Sequence, residues 1–193
     1  MTTVAVILAA GAGTRFEGPE HKLNAAFRGG TVARAAVAAA REARAAGAVD
    51  RVRVVVGATE LRGVDLDDVE IVTNTNWAQG QATSLAAALA SIDDPAHEPV
   101  DAVVVALADQ PLIAPSAWCR VAASHSPIAV ASYEDGRVGH PIRLHRSVWS
   151  LLPTTGDSGA RDLIRLRPDL VSQVACEGSN ADIDTQEDLR TWT

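Results

Sequence analysis

Apolar and polar positions alternate in blocks along the chain and predict a succession of strands and helices. Short apolar runs rich in β-branched residues, which are typical of buried strands, occupy residues 4–8, 52–56, 70–72, 100–107 and 170–175. Alanine-rich or amphipathic segments with capping signals separate several of these runs. Strands that alternate with helices predict an α/β fold with a mostly parallel sheet.

Turn and capping residues indicate where the first helices begin and end. Thr31 is suited to cap a helix over residues 32–46, and Gly47 is suited to end it. A second helix is expected to be capped by Thr83 or Ser84.

The second half of the chain is less regular. Two strand-like runs at residues 127–133 and 138–144 flank a polar turn, and their spacing leaves open whether they pair as a hairpin. Further expected elements are an acidic loop or short helix at residues 61–68, a linker at 93–99, a helical turn at 147–152, a helix capped by Asp157 or Ser158, and a C-terminal helix from about Gln186.

Length and composition predict a single domain over residues 1–193, because domains commonly span roughly 100–200 residues. No apolar stretch approaches the roughly 18 residues of a membrane span, and no leader segment is visible. Cys119 and Cys176 are isolated and lack zinc-site spacing, so we expect reduced thiols, with Cys119 buried, in a soluble cytoplasmic protein. The net charge of −7 disfavours a nucleic-acid polymer or a membrane as partner, although a nucleotide needs only a local positive pocket.

A small-residue loop follows the first predicted strand, and residues 8–16 read LAAGAGTRF. Its glycines and alanines let backbone N–H groups approach an anion, and Arg15 and Lys22 add positive charge nearby. A dinucleotide-binding loop is disfavoured because Phe16 stands where the third glycine of G-x-G-x-x-G belongs, and the chain contains no Gly-Lys-Ser/Thr of a P-loop. The loop therefore suits either a triphosphate or tight packing of a strand on a helix.

Two aspartates are candidate ligands for Mg²⁺. Asp109 directly follows the central strand at residues 100–107, at the sheet edge where parallel sheets bind ligands, and metal binding is favoured there over capping of the next helix. Asp184 precedes the C-terminal helix, so capping is the simpler interpretation for it, with Asp182 a near competitor for any metal role.

Other polar turns could complete a crevice. His140 lies in a Gly-His-Pro turn, and Arg161 closes the polar stretch at residues 155–161. The sequence offers no supportable Ser-His-Asp order, no HExxH and no paired glutamates of a glycosidase. Phosphoryl-type transfer, which depends on positioning and charge neutralisation, is the chemistry that fits best.

Taken together, the motifs resemble those of the molybdenum-cofactor nucleotidyltransferases, within the MobA/MocA-like superfamily. They are LAAGxGxRF at residues 8–16 with Lys22, NxxxG at 76–80 with Ser84 and Leu85, LADQP at 107–111, GHP at 139–141, GDxGAR at 156–161, and IDTxEDL at 183–189. The cytidylyltransferase branch is the most similar, because Ala10 stands where the guanylyltransferases typically carry glycine. One departure is Pro-Glu-His at residues 19–21, where a shorter, glycine-rich lead to the lysine is usual.

The resemblance implies a nucleotide-diphospho-sugar-transferase (GT-A-like) fold, which is a Rossmann-like, three-layer α/β/α arrangement. The nucleotide would bind to the half at about residues 1–111 and the acceptor to the half at about 112–193. By resemblance, the catalytic residues are Arg15, Lys22 and Asp109, the metal ligands are Asp109 and Asp184, and the acceptor is bound by His140, Asp157 and Arg161. The nucleotide-binding residues implied are Leu8, Ala9, Ala10, Gly11, Ala12, Gly13, Thr14, Arg15, Lys22, Asn76, Gly80 and Ser84.

The implied reaction is Mg²⁺-dependent transfer of CMP from CTP to the phosphate of molybdopterin, with release of pyrophosphate. A molybdoenzyme that receives the product is an expected partner. A GTP-dependent guanylyltransferase or another small-phosphate or sugar-phosphate nucleotidyltransferase would keep the same fold. A non-catalytic carrier of the molybdenum cofactor is an alternative of a different class, but a carrier would not need Arg15, Lys22 and Asp109 together.

Overall fold

A computed structural model describes residues 1–92 and 98–193, so most of the linker predicted at residues 93–99 lies outside the described residues. The strands are β1 (Thr3–Ala9), β2 (Ala26–Phe27), β3 (Gly30–Thr31), β4 (Arg51–Val56), β5 (Glu70–Thr73), β6 (Ala102–Leu107), β7 (Ile128–Ser132), β8 (Val138–His145) and β9 (Val171–Ala175). The α-helices are α1 (Val32–Ala45), α2 (Gln81–Ile92), α3 (Pro115–Ala122), α4 (Arg161–Leu166) and α5 (Gln186–Trp192). Short 3₁₀ helices cover Lys22–Asn24, Trp77–Gln79, Arg146–Leu151 and Pro168–Leu170.

One seven-stranded sheet organises the fold, in the order β5-β4-β1-β6-β8-β7-β9, while β2 and β3 form a separate ribbon. Strand β1 pairs in parallel with both β4 and β6, and β7 pairs in parallel with β9. Strand β8 runs antiparallel to its neighbours β6 and β7, so the two runs left open by the sequence do form a hairpin. The predicted mostly parallel α/β fold is confirmed.

The sheet is covered on both faces, which makes a three-layer α/β/α molecule. Along β1, Ala5 and Ile7 belong to the apolar cluster that includes α1 and α3. Val4 and Val6 belong to the opposite cluster, which includes α2. All seven residues of β1 are buried, because a strand covered on both faces has no solvent side. No helix among the described residues is both long and apolar enough to cross a bilayer.

The start of α2 differs from the prediction. This helix begins at Gln81, so Thr83 and Ser84 lie inside its first turn rather than capping it. A backbone acceptor replaces the side-chain cap at the start of this helix, because Ala82 N donates to Gly156 O at 2.9 Å. The two hydroxyls accept from the buried amide of Asn74, at 2.8 Å for Thr83 Oγ1 and 3.0 Å for Ser84 Oγ, so they anchor the loop after β5.

Two further capping expectations are wrong. Helix α4 follows Ala160 and receives no side-chain cap, because the Ser158 hydroxyl is taken by the carboxylate of Asp162. Helix α5 is capped by Thr185, whose Oγ1 accepts from Asp188 N at 3.1 Å while the Asp188 carboxylate accepts from Thr185 N at 2.8 Å. This capping box satisfies the helix start, so the Asp184 carboxylate is not a cap. Nor is Asp109, since α3 begins at Pro115 after Ala114.

Candidate active site

The loop after β1 presents a row of unused backbone donors. Within residues 1–92 and 98–193, the N–H groups of residues 11–15 find no protein acceptor, and the next one, Phe16 N, donates to Gly13 O at 3.0 Å. Gly13 adopts a φ of 62°, a conformation that residues with a side chain rarely take. Consecutive free N–H groups in a turn form a concave binding surface for an anion. We call residues 10–15 the phosphate loop.

Beside this loop, one ammonium group joins two carboxylates that are distant in sequence. Lys22 Nζ lies 2.6 Å from Asp109 Oδ2 and 2.7 Å from Asp184 Oδ1. Asp109 follows β6 and Asp184 precedes α5, and Ile183 N donates to Asp109 O at 2.8 Å, which holds the two segments together. Lys22 itself is 9% exposed, so its charge requires these partners. We call Lys22, Asp109 and Asp184 the lysine–aspartate cluster.

The cluster determines the charge state of its cation. Burial by itself would lower the pKa of Lys22, but the charge of Asp109 and the hydrogen bonds to Asp109 and Asp184 outweigh it and raise the pKa above its usual value. Lys22 is therefore a permanent cation at neutral pH. Arg15 adds a second positive charge, since its Nη2 lies 2.9 Å from Asp184 Oδ2. The Arg15 side chain is 75% exposed, so this pair holds it weakly and leaves it able to contact a ligand.

The two carboxylates fit a divalent cation of the Mg²⁺ type. Asp109 Oδ1 is buried and has no hydrogen-bond partner, which leaves one carboxylate oxygen available to a ligand. Across the described parts of the chain, no group of three or more His, Cys, Asp or Glu side chains could hold a metal ion. A cation at Asp109 and Asp184 would therefore need water and substrate oxygens to complete its shell, which is how Mg²⁺ is commonly bound.

A third carboxyl group stands near the cluster. Desolvation and the charge of Asp109 raise the pKa of Asp182 to about 6, although a hydrogen bond from Gln110 Nε2 at 2.9 Å opposes the shift. Gln110 also donates to Asn180 O at 3.1 Å, so its buried amide ties the turn after β6 to the segment before α5. This tie helps to keep Asp109 and Asp184 close to each other.

Two adjoining cavities open on this cluster. The first, of about 580 Å³, is lined by the phosphate loop, Lys22, Trp77, Gly80 and Ser84. All the residues predicted to bind the nucleotide line it except Asn76, which lies outside both cavities as they are defined by the described residues. The second cavity, of about 820 Å³, is lined mainly by the second half of the chain. Arg15, Gln81, Leu107, Asp109, Arg161 and Asp184 line both.

The predicted acceptor residues divide between the cavities. His140 lines the larger one, Asp157 the smaller one, and Arg161 both. Burial, together with the charge of Arg161, lowers the pKa of His140 to about 4, so its imidazole is neutral at neutral pH. A neutral imidazole is able to form hydrogen bonds but carries no charge for a phosphate. Of these three residues, Arg161 is the one that offers a cation to the larger cavity.

The sequence contains signals that motif reading overlooked. Lys22 is the sole lysine of the chain, and the other sixteen Lys or Arg positions are all arginine. The one lysine of a chain that otherwise uses arginine indicates a position that requires a compact ammonium group and not a guanidinium. The partners of Gln110 left no such trace, because Asn180 and Asp182 are distant from it in the sequence. The hydrogen bond of the His21 ring to Gly11 O spans only ten residues, but it depends on how the loop folds back, which no residue pattern marks.

Comparisons with known proteins identify the family of the chain. Residues 5–174 match the MobA-like NTP transferase domain. A relative named nicotine blue oxidoreductase, from Paenarthrobacter nicotinovorans, is 32% identical over 200 residues, covering 95% of this chain and 93% of that protein.

Solved structures of similar proteins share the fold. Rv0371c of Mycobacterium tuberculosis H37Rv is 30% identical with a TM-score of 0.81, over 99% of this chain and 97% of that one. The same protein in complex with manganese gives a TM-score of 0.74 at 30% identity, over 100% of this chain and 98% of that one. The nucleotidyl transferase Mth528 from Methanothermobacter thermautotroptrophicus is 25% identical with a TM-score of 0.78, over 99% and 96% of the two chains.

Proposed function

Because the chain belongs to the MobA-like NTP transferase family, we propose that it transfers CMP from CTP to the phosphate of molybdopterin and releases pyrophosphate. The observation that carries this proposal is the lysine–aspartate cluster, in which Lys22 Nζ lies within 2.7 Å of two carboxylates. Its position beside five free N–H groups supports a site built for a triphosphate and a divalent cation.

The reaction needs charge neutralisation more than proton transfer. A phosphate monoester has a second pKa near 6, so the attacking phosphate is largely dianionic at neutral pH and needs no strong base. Its oxygen forms the bond to the α-phosphorus of CTP while the bond to the departing pyrophosphate breaks. The phosphate loop, Lys22 and Arg15 hold the negative oxygens and lower the repulsion between the two substrates.

Asp109 and Asp184 are the residues that would hold Mg²⁺ in this proposal. When bound, such a cation supplies charge stabilisation at the phosphoryl oxygens. The manganese complex of Rv0371c supports a divalent cation in a protein that is similar over almost the whole chain. Without a metal ion, Lys22 balances part of the negative charge of the two carboxylates, and it lines the same cavity as the phosphate loop.

The proposed preference for CTP depends on Ala10. This residue lines the nucleotide cavity and is 2% exposed, and its carbonyl accepts from Ala58 N at 3.0 Å. A Cβ on Gly57 would lie 2.8 Å from the Ala10 Cβ, so the methyl group packs closely at that edge of the cavity. We expect CTP with Mg²⁺ to stabilise the protein against heat more than GTP, ATP or UTP. Stabilisation by GTP alone would contradict the choice of base.

Pyrophosphate release tests the reaction itself. We expect release when CTP, Mg²⁺ and molybdopterin are all present, and little without the acceptor. No release with any nucleoside triphosphate, together with tight retention of molybdopterin, would favour a cofactor carrier that delivers to a molybdoenzyme. The name of the relative nicotine blue oxidoreductase indicates a third possible activity to test. Oxidation of a nicotinamide cofactor without pyrophosphate release would overturn the transferase proposal, although Phe16 removes the third glycine of a dinucleotide loop.

A further inference from the structure

The imidazole of His21 uses both of its nitrogens at the edge of the phosphate loop. Its Nε2 lies 3.0 Å from Gly11 O, and its Nδ1 accepts from Leu23 N at 3.2 Å. Since an N–H donates to Nδ1, that nitrogen carries no proton in this arrangement. The proton of the neutral ring is therefore on Nε2, which donates to the Gly11 carbonyl.

These two hydrogen bonds connect the phosphate loop, with its unused N–H groups, to the segment that carries Lys22. Gly11 is the first residue of the loop with an unused N–H, and Leu23 follows Lys22 in the 3₁₀ helix Lys22–Asn24, which His21 caps. By holding the Gly11 carbonyl, the ring fixes the plane of the peptide whose N–H belongs to Ala12. The side chain of His21 thus sets both the orientation of the Ala12 N–H and the start of the 3₁₀ helix that contains Lys22.

The packing of the ring makes the bridge tight. A Cβ on Gly13 would lie 2.9 Å from His21 Nε2 and 3.2 Å from Lys22 Cγ, so both side chains lie against the loop at a position that accepts only glycine. Burial lowers the pKa of His21, against the pull of the Gly11 carbonyl, and the neighbouring Lys22 charge lowers it further. A lowered pKa favours the neutral ring, which is the form that both hydrogen bonds require.

We propose that His21 is a positioning residue for nucleotide binding, which holds the phosphate loop and Lys22 in the one relative geometry that a triphosphate needs. This inference rests on the proposed function of the same site. His21 is the last residue of the Pro-Glu-His segment at residues 19–21, directly before Lys22.

Two substitutions separate the two halves of the bridge. His21→Asn keeps an acceptor for Leu23 N, because asparagine is a good helix cap, but its short side chain does not reach Gly11 O. His21→Gln places an amide donor near the Nε2 position and restores a hydrogen bond to Gly11 O. We expect His21→Asn to weaken binding of CTP with Mg²⁺ about three- to tenfold, the range expected for one lost hydrogen bond, and His21→Gln to recover most of it. Calorimetric titration with CTP and Mg²⁺ measures both.

A matched control is available in the same fold. His145 caps the 3₁₀ helix Arg146–Leu151 in the same manner, with Nδ1 accepting from Ser147 N at 3.2 Å, and it lines neither of the two cavities that the described residues form. We expect His145→Asn to leave CTP binding unchanged. In the transfer assay, His21→Asn should raise the KM for CTP and change kcat less, with a melting temperature close to that of His145→Asn.

Equal CTP affinity in His21→Asn and the wild type would overturn the positioning role and leave the proposed function intact. Loss of affinity that follows only a fall in melting temperature, with no recovery in His21→Gln, would overturn it in favour of a purely structural role. A wild-type protein that binds no nucleoside triphosphate would overturn both the inference and the proposed function.

Discussion

The Lys22 ammonium group allows two carboxylates of the site to lie side by side. Asp109 and Asp184 come from two segments that are far apart in the sequence, and an oxygen of each accepts a hydrogen bond from Lys22 Nζ, at 2.6 and 2.7 Å. Without that cation, two largely buried negative charges would face each other and one would tend to take up a proton. Lys22 and a divalent cation therefore serve the same two carboxylates.

Because Lys22 and a divalent cation would contact the same two carboxylates, we make a prediction for Lys22→Met. This substitution keeps the approximate length of the side chain but removes its charge. We expect the melting temperature without metal to fall, because the carboxylates lose their counter-charge. We expect Mg²⁺ to raise the melting temperature of Lys22→Met by about 2–4 °C more than that of the wild type, since the cation then relieves the repulsion. Calorimetry with and without Mg²⁺ measures both shifts, and Asp65→Asn, at an exposed ion pair with Arg41, is the control. Equal shifts in the wild type and the variant would contradict the assignment of Asp109 and Asp184 to a metal.

The sole lysine makes the charge state of the site directly measurable. Reductive methylation with ¹³C labels only Lys22 and the chain's amino terminus, so one side-chain NMR signal reports the titration of Lys22. We expect its pKa to lie above the usual value of about 10.4 for lysine. In Asp109→Asn, burial remains while one favourable charge is lost, so we expect the pKa to fall. An unchanged pKa in Asp109→Asn would show that the contact with Asp109 does not determine the charge state of Lys22.

At the scale of elements, the join between α2 and the loop before α4 keeps the two cavities in contact. Gly156 N donates to Gln79 O at 3.0 Å, and Gly156 O accepts from Ala82 N at 2.9 Å. Gly80 lies at this join with a φ of 104°, and a Cβ there would overlap the Gly156 backbone. The start of α2, in the nucleotide half, and the loop at Gly156 and Asp157 therefore pack against each other without room for a side chain at Gly80.

Gly80→Ala tests this join. We expect it to lower the free energy of unfolding by about 2–4 kcal/mol, because it combines a positive φ with a backbone overlap. The matched control is Gly136→Ala in the turn between β7 and β8, which also has a positive φ but has open space around the added methyl group. We expect the control to lose only about 1 kcal/mol. Equal losses in chemical denaturation would mean that contact with Gly156 contributes nothing.

The elements also show which features a single sequence can predict. Strand β1 and helix α1 follow from local signals, a buried apolar run and a capping Thr31 whose Oγ1 accepts from Arg34 N at 3.2 Å. The starts of α2 and α4 do not follow from local signals. At α2, Ala82 N donates to Gly156 O, which belongs to a distant segment. At α4, the carboxylate of Asp162 accepts from the Ser158 hydroxyl and removes Ser158 as a cap. Cys119 likewise is half-buried rather than buried, since α3 turns its Trp118 face fully inward.

At the scale of the whole molecule, the site lies along the carboxyl ends of the central strands. The phosphate loop follows β1, and Asp109 follows its neighbour β6, so parallel pairing brings them to one sheet edge. That much could be predicted from strand order and spacing. The placement of Asp184 does not follow from strand order and is implied only by the resemblance to a family, because it depends on a contact between the turn before α5 and Lys22, 162 residues away in the sequence. The capping box at Thr185 makes this return possible by leaving the Asp184 carboxylate free for the cluster.

The most direct test of the proposed reaction uses CTP labelled at its α-phosphorus and measures transfer of the label into molybdopterin in the presence of Mg²⁺. We expect label in the acceptor with the wild-type protein, and loss of at least about two orders of magnitude in Lys22→Ala and in Asp109→Ala, with both variants still folded by circular dichroism. Loss on this scale is expected because each variant removes a charge that the reaction needs at the phosphates. Wild-type transfer rates in either folded variant, or no labelled product with the wild type, would contradict the central role of the lysine–aspartate cluster.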